Sequence, residues 1–219
     1  MRSWDWESNS MSRVFLDIET LPPEKDDPLI SDRIEQLPDE DFRKLALDGE
    51  YGRLLCIGLV IEQNGQIVHR GTLGRDRETR RFHLDEARTL RCFWKLIQDF
   101  NPQRDLFIGH NILDFDLHFL CQRSVIKQVK PSIEVCFRRY SSHPVYDVMW
   151  EFEHWRRRIS LDELAKVLGL KSSKQNGLNG NGVYDSFLEG HHEEIADYCM
   201  RDVDLTREIY YRMNFSPLT

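Results

Sequence analysis

Residues 13–21 read Arg-Val-Phe-Leu-Asp-Ile-Glu-Thr-Leu, and the fold is decided there. Residues 13–18 (RVFLDI) have the β-branched and aromatic bias of a short buried strand. Side chains alternate faces along a strand, so Asp17 and Glu19 point one way while Val14, Leu16 and Ile18 point the other. Two carboxylates facing together repel unless a cation lies between them. Hard divalent cations such as Mg²⁺ and Mn²⁺ prefer oxygen ligands. An exposed strand end carries the same pair of acids, so the pair gains meaning only in company with acids from other segments.

Outward from this strand, residues 22–53 read as an insertion. Pro22 and Pro23 break the chain, and residues 39–47 suit a short acidic helix. Residues 54–62 and 66–70 are strand candidates joined through Asn64-Gly65, the strongest short hairpin signal. Residues 83–100 carry apolar side chains at helical spacing (Leu84, Ala87, Leu90, Phe93, Trp94, Ile97), and Pro102 lies just beyond their end. Residues 105–110 form another strand, and 115–126 a helix with Asn111 or Asp114 available as its cap. Asp147 caps a helix running to about residue 157. Ser160-Leu161-Asp162-Glu163 is a capping box for a helix ending at Gly169. Residues 171–183 form a Gly/Asn-rich loop, and about 193–213 the last helix. The order predicts an α/β domain, a mixed sheet packed between helices.

The 219 residues suit a single domain. The hydrophobic fraction of 40% supports a core and argues against wholesale disorder. The longest apolar run, residues 54–61, is far short of the ~20 residues of a spanning helix, so no membrane association is expected. Residues 1–10 are polar and carry two acids, unlike a secretory signal. Five widely spaced cysteines without a CxxC pair read as reduced core residues of a cytoplasmic protein. The net charge of −7 argues at first against a nucleic-acid partner. Residues 24–50, however, hold ten acids against four bases, and the rest of the chain is nearly neutral. Bases cluster elsewhere, with seven arginines between Arg70 and Arg91 and a run from Arg156 to Arg158. Such runs are solvated faces or the walls of a basic groove.

Two further segments carry acids. Residues 109–116 (GHNILDFD) run from a strand end into a helix, a common place for ligand chemistry in α/β folds. Asp116 falls in the first helical turn, where the dipole favours negative charge, and Asp114 takes the capping role. In residues 198–202 (YCMRD), Tyr198 and Asp202 are four apart and share a helix face. Ile195, Cys199, Val203, Ile209 and Met213 form the adjacent stripe that docks this helix on the sheet. An N-capping acid and a structural Tyr/Asp pair are the plain alternatives for these two segments.

Taken together, the three segments resemble the DEDD superfamily of 3′–5′ exonucleases, which have a ribonuclease-H-like fold. Residues 16–20 (LDIET) match its first motif, 109–116 its second, and 198–202 its third in the Y-x₃-D form. Asp197, five before Asp202, stands where the other branch has histidine, so the tyrosine branch is indicated. The spelling is most similar to the proofreading domains of family B DNA polymerases, in particular to the stand-alone predicted exonucleases related to them. Residues 146–152, 160–170 and 193–203 are also similar to that group. The resemblance covers most of residues 13–212; the leader and residues 24–50 lie outside it, and the Gly/Asn loop matches poorly.

The resemblance implies a single ribonuclease-H-like exonuclease domain over 13–213, with a flexible leader (1–12), an acidic insertion (24–53) and a flexible loop (171–184). It implies two divalent ions, Mg²⁺ or Mn²⁺, held by Asp17, Glu19, Asp116 and Asp202. Asp17 bridges both ions, Glu19 and Asp202 serve the nucleophile-side ion, and Asp116 holds the other mainly through water. Tyr198, with a reference pKa near ~10, is a poor base and orients the attacking water. Thr20 and Leu21 touch the terminal nucleotide, and Asn111 the sugar-phosphate end. Phe115 and Phe119 are assigned to the core rather than to base stacking, Asp147 to helix capping, and none of His110, His118, His191 and His192 to metal. The expected reaction removes nucleotides singly from the 3′ end of single-stranded DNA, releasing nucleoside 5′-monophosphates, in a DNA-repair setting. An RNA-trimming enzyme and a non-catalytic nucleic-acid-binding or polymerase-associated module are the alternatives. A nucleotide-binding protein without hydrolysis lacks support, since neither GxxxxGK[ST] nor GxGxxG occurs.

Overall fold

The structure is a computed structural model that describes residues 11–27, 30, 37–173 and 180–218. Most of the expected leader, part of the acidic insertion (28–29 and 31–36) and residues 174–179 of the Gly/Asn loop lie outside the described residues. Five strands form one mixed sheet in the order β3-β2-β1-β4-β5. They are β1 (Ser12–Leu21), β2 (Arg53–Gln63), β3 (Gln66–Leu73), β4 (Leu106–Gly109) and β5 (Val145–Asp147). β1, β2 and β3 pair antiparallel, whereas β4 runs parallel to β1 and to β5. This is the α/β, ribonuclease-H-like arrangement that the resemblance implies.

The helices are α1 (Asp39–Lys44), α2 (Glu86–Leu96), α3 (Asp116–Ile126), α4 (Val148–Glu153), α5 (Leu161–Val167), α6 (Val183–Leu188) and α7 (His192–Met213). Local chemistry places most of these boundaries. Asn64 and Gly65 both take positive φ, 52° and 75°, as the tight β2–β3 turn requires. Asp85 accepts from Arg88 N–H (2.9 Å) at the start of α2, and Ser160 from Glu163 N–H (3.2 Å) at the start of α5. α4 is shorter than expected because His154 and Trp155 turn left-handed, at φ 49° and 62°, and end it. α6 begins at Val183, at the edge of the stretch whose composition suggests a loop. β5 is too short for its three residues to carry a readable periodicity.

Alternation along β1 sorts the core into two layers. Val14, Leu16 and Ile18 pack with Leu90, Phe93 and Leu117 of α2 and α3. Phe15 packs on the other face with Val203, Ile209 and Tyr210 of α7. Buried ion pairs pin both layers to β2. Glu62, fully buried, accepts from the Arg207 guanidinium and the Tyr211 hydroxyl of α7. Glu86 of α2 is gripped by Arg123 of α3 at 2.7 and 2.8 Å and accepts from Leu54 N–H at 2.9 Å.

One glycine sets how closely α7 approaches. Gly58 of β2 pairs with Asp17 of β1. A Cβ there would lie 2.7 Å from Cys199 Sγ and 3.0 Å from Val203 Cγ2, both on α7. Gly58→Ala is therefore expected to lift α7 off the sheet and cost about 1–3 kcal/mol by overpacking. The urea unfolding midpoint measures this. An unchanged midpoint would show that α7 does not bear on β2 at this position.

Candidate active site

Asp17 and Glu19 lie on the α7 side of β1, as their alternation requires. Their carboxylate oxygens and Cys199 Sγ fall within 4.8 Å of one another. A register shift in the β1–β2 ladder between Glu19 and Thr20 breaks the alternation. Such bulges re-aim side chains beside functional sites. Glu19 and Thr20 both border a cavity of about 520 Å³, together with Asp17, Phe115, Tyr198 and Asp202.

Asp116 reaches the same place from the other side of the strand. β1 pairs with β4 only over Arg13–Phe15, which leaves the Ile18 amide without a ladder partner on that side. Asp116 Oδ1 accepts from it at 3.0 Å. The second-motif carboxylate is thus tied to the backbone between Asp17 and Glu19. Tyr198 and Asp202 arrive together on α7, where burial and then the nearby Asp202 carboxylate push the phenol's pKa up. Strand and last helix bring Asp17, Glu19, Tyr198 and Asp202 to the cavity, and the loop–helix junction holds Asp116 against the intervening Ile18 amide, near enough to act on Asp17.

Electrostatics register this proximity. Burial, then Asp116, Asp202 and Glu19 in turn, push Asp17 well above the ordinary carboxylate range. Glu19 rises likewise, through burial first and then Cys56, Asp202 and Asp116. Burial lifts Asp116 to about 7, with Asp147 adding to it while its backbone hydrogen bonds oppose the rise. Tyr198 is pushed up by burial and by the carboxylates of Asp202, Glu19 and Asp17, so its phenol stays protonated. Acids so arranged take up either protons or cations, and an all-oxygen donor set suits a hard divalent ion. The donors present fit such a group. The Cys199 thiol, pushed up by its hydrogen bond to Cys56 and by burial, stays protonated and serves packing.

Two expectations are corrected, and the core role of Phe115 and Phe119 is extended. The Leu21 side chain is fully buried among Leu55, Cys56, Ile195 and Ala196, so it offers no surface to a nucleotide. Asp114 does not cap α3, which starts at Asp116 after Phe115 with no side-chain cap. Asp114 instead pairs with Arg139 and Arg158, each at 3.1 Å. Phe115 borders the cavity as well as packing against the core, whereas Phe119 is core alone.

Asn111 does not border the cavity. It adopts φ 59°, its N–H donates to Asp147 Oδ1 at 3.0 Å, and its side-chain oxygen is buried without a hydrogen-bond partner. Asp147 therefore does more than cap α4. Its carboxylate also accepts from Leu113 N–H at 3.2 Å and clamps the second-motif loop. Neither contact is visible in a sequence.

The expected acidic helix supplies a wall of the cavity. Glu40, Arg43 and Lys44 of α1 and Leu47 just beyond it face the carboxylates, with Tyr184 of α6 beside them. Arg43 joins the two helices, pairing with Asp185 at 2.9 Å and lying 5.4 Å over the Tyr184 ring. Lys44 is held by Glu40 at 2.9 Å and Asp41 at 3.2 Å, both exposed pairs of the kind that contribute little. Acid-rich composition conceals this role, because the bases that line the cavity are a minority of the segment.

Residues 46–217 match the model of a family described as a predicted 3′–5′ exonuclease related to the exonuclease domain of PolB. β1, with Asp17 and Glu19, and α1 lie outside the matched residues. No curated protein matches the chain. Among the described residues, no helix is long and apolar enough to cross a membrane.

The chelated protein is expected to show a particular pH dependence. Asp116 has an ordinary value of 3.8 and is raised to about 7 in the fold. Its contribution to stability is complete below the ordinary value and is lost as pH climbs through the raised one. Asp17 and Glu19 act in the same direction. The melting temperature in chelator is expected to fall between about pH 5 and pH 8, and Asp116→Asn to flatten that fall. A wild-type melting temperature no more pH-dependent than the variant's would contradict the assignment.

Proposed function

The chain belongs to the family of predicted 3′–5′ exonucleases related to the exonuclease domain of PolB, and from that premise we propose a metal-dependent 3′–5′ exonuclease acting on single-stranded DNA. It removes nucleotides singly and releases nucleoside 5′-monophosphates. The observation that carries this reading is the gathering of Asp17, Glu19, Asp202 and Tyr198 on one cavity, with Asp116 bonded to the Ile18 amide between the first two. The preference for DNA rests on the likeness of the motifs to polymerase proofreading domains. A catalytic unit over residues 13–213 and a cytoplasmic location belong to the same reading; the five cysteines are all unpaired.

Asp17, Glu19 and Asp202 would hold one divalent ion, and Asp17 with Asp116 a second. Bound there, Mg²⁺ or Mn²⁺ lowers the pKa of water and neutralises charge on the phosphoryl and leaving oxygens. Four carboxylates balance two such ions, so the site is nearly neutral before a polyanion arrives. The protonated Tyr198 donates a hydrogen bond that orients the attacking water rather than removing its proton. Phe115 and Tyr184 offer ring faces to the terminal base. Arg43 and Lys44 offer positive charge to the phosphates beyond the cleaved one.

The deciding experiment tracks 5′-labelled DNA and RNA oligonucleotides with Mg²⁺, Mn²⁺ or chelator. Stepwise shortening from the 3′ end is expected with either metal and none in chelator, DNA being degraded faster. Asp202→Ala is expected to lower the rate by at least about 10³-fold. Tyr198→Phe should keep the metal-induced thermal shift and slow turnover by about 10²-fold. Full activity of Asp202→Ala, or no degradation with either metal, sinks the reading; faster loss of RNA overturns the DNA preference.

The wall helix has its own test. Lys44→Ala is expected to raise KM several-fold and to flatten the log–log salt dependence of single-strand binding by about 0.7, the loss of one phosphate contact. An unaltered slope would remove Lys44 from the substrate path.

A further inference from the structure

Beside Asp114, two half-buried tryptophans that pack against the core stack on each other beneath an exposed tyrosine, among arginines. The Trp150 and Trp155 rings lie 5.3 Å apart and 5° from parallel, and the Tyr140 ring leans on Trp155 at 4.9 Å, tilted by 53°. Tyr140 is 78% exposed. The Arg158 guanidinium sits 5.9 Å over Trp150. Asp114 binds Arg158 and Arg139 at once, so one carboxylate faces two cations. Arg138 and Arg156, both exposed, have no carboxylate partner among the described residues. The patch is therefore both aromatic and net positive.

The backbone here is held in an uncommon state. Tyr140 and Trp155 both have φ of 62°, in the left-handed region that bulky residues rarely enter. Such outliers persist where surrounding structure enforces them, and they cluster at binding sites. His154, at φ 49°, shares this conformation with Trp155 where α4 ends, and Tyr140 takes it in the segment before β5. Asp114 also adjoins Phe115, which borders the cavity, so the patch begins where the site ends.

We infer that the exposed Tyr140, propped on the Trp150–Trp155 stack, and the surrounding arginines form a platform for single-stranded nucleic acid, carrying the nucleotides on the 5′ side of the one held in the cavity. The inference rests on the nuclease reading for its direction along the strand. Every base has a π face, so stacking on aromatic rings tolerates any sequence, and the guanidiniums meet the phosphates between bases. A blunt duplex offers no unstacked base to the rings. The arginine run 156–158, ambiguous in the sequence between solvated face and groove, takes its place beside this platform.

The test measures affinity of the full chain for labelled oligothymidylates of about 4 and about 12 nucleotides, in chelator so that no turnover occurs. The wild type is expected to bind the longer strand at least about tenfold more tightly, with quenching of tryptophan emission. Tyr140→Ala and Trp155→Ala should each remove most of that length advantage, and Trp155→Phe should restore it with less quenching. Tyr140 is exposed enough that its replacement leaves the core untouched, so Tyr140→Ala decides the matter if Trp155→Ala misfolds. An undiminished length advantage in Tyr140→Ala overturns the platform, as does equally tight binding of a blunt duplex. A wild type that shows the length advantage but hydrolyses no oligonucleotide with Mg²⁺ or Mn²⁺ keeps the platform and fails the nuclease reading.

Discussion

Like charge held together at low solvent exposure is the condition around which this molecule is organised. Asp17, Glu19, Asp116 and Asp202 raise one another's energy, and no single element could impose their proximity. Packing elsewhere supplies the restraint. α7 carries Ile195, Val203 and Ile209 into the sheet, and Arg207 and Tyr211 lock onto buried Glu62 one turn and more beyond the site. Asp116 is held by a backbone amide that the sheet leaves unpaired. The helix anchors lie outside the cluster of acids they constrain, so the apolar layers and buried ion pairs offset a repulsion they do not touch.

Much of this is legible in the sequence, for identifiable reasons. The two-residue spacing of Asp17 and Glu19 fixes their shared face, and the four-residue spacing of Tyr198 and Asp202 fixes theirs. Asn64-Gly65 and the caps at Asp85 and Ser160 act through neighbours a few positions away, which is the range a sequence displays. The failures are equally specific. Leu21 follows the motif acids on the same α7 side, but Ile195 and Ala196 pack over it and close it off from the cavity. Asp114 has the chemistry of a cap, yet two arginines from distant segments claim it. The wall built by α1 depends on Arg43 meeting Asp185, 142 positions away; nothing local encodes that meeting.

Asp147 shows why local reading undervalues some residues. Its carboxylate serves Met149 N–H as a helix cap and at the same time the amides of Asn111 and Leu113. Burial lifts it to about 6, and its charge is one of the influences felt by Asp116. A residue of this kind shapes the loop that delivers Asp116 without bordering the cavity.

The placement of Tyr198 and Asp202 on the latest helix of the fold also bears on how the molecule is born. A growing polypeptide exposes β1 early and the second motif midway, but it carries neither the phenol nor the fourth acid until nearly every other element has been made. Synthesis runs from the amino end, and contacts of such long range form late. An unfinished chain on the ribosome therefore holds three of the acids without the fourth and without the phenol.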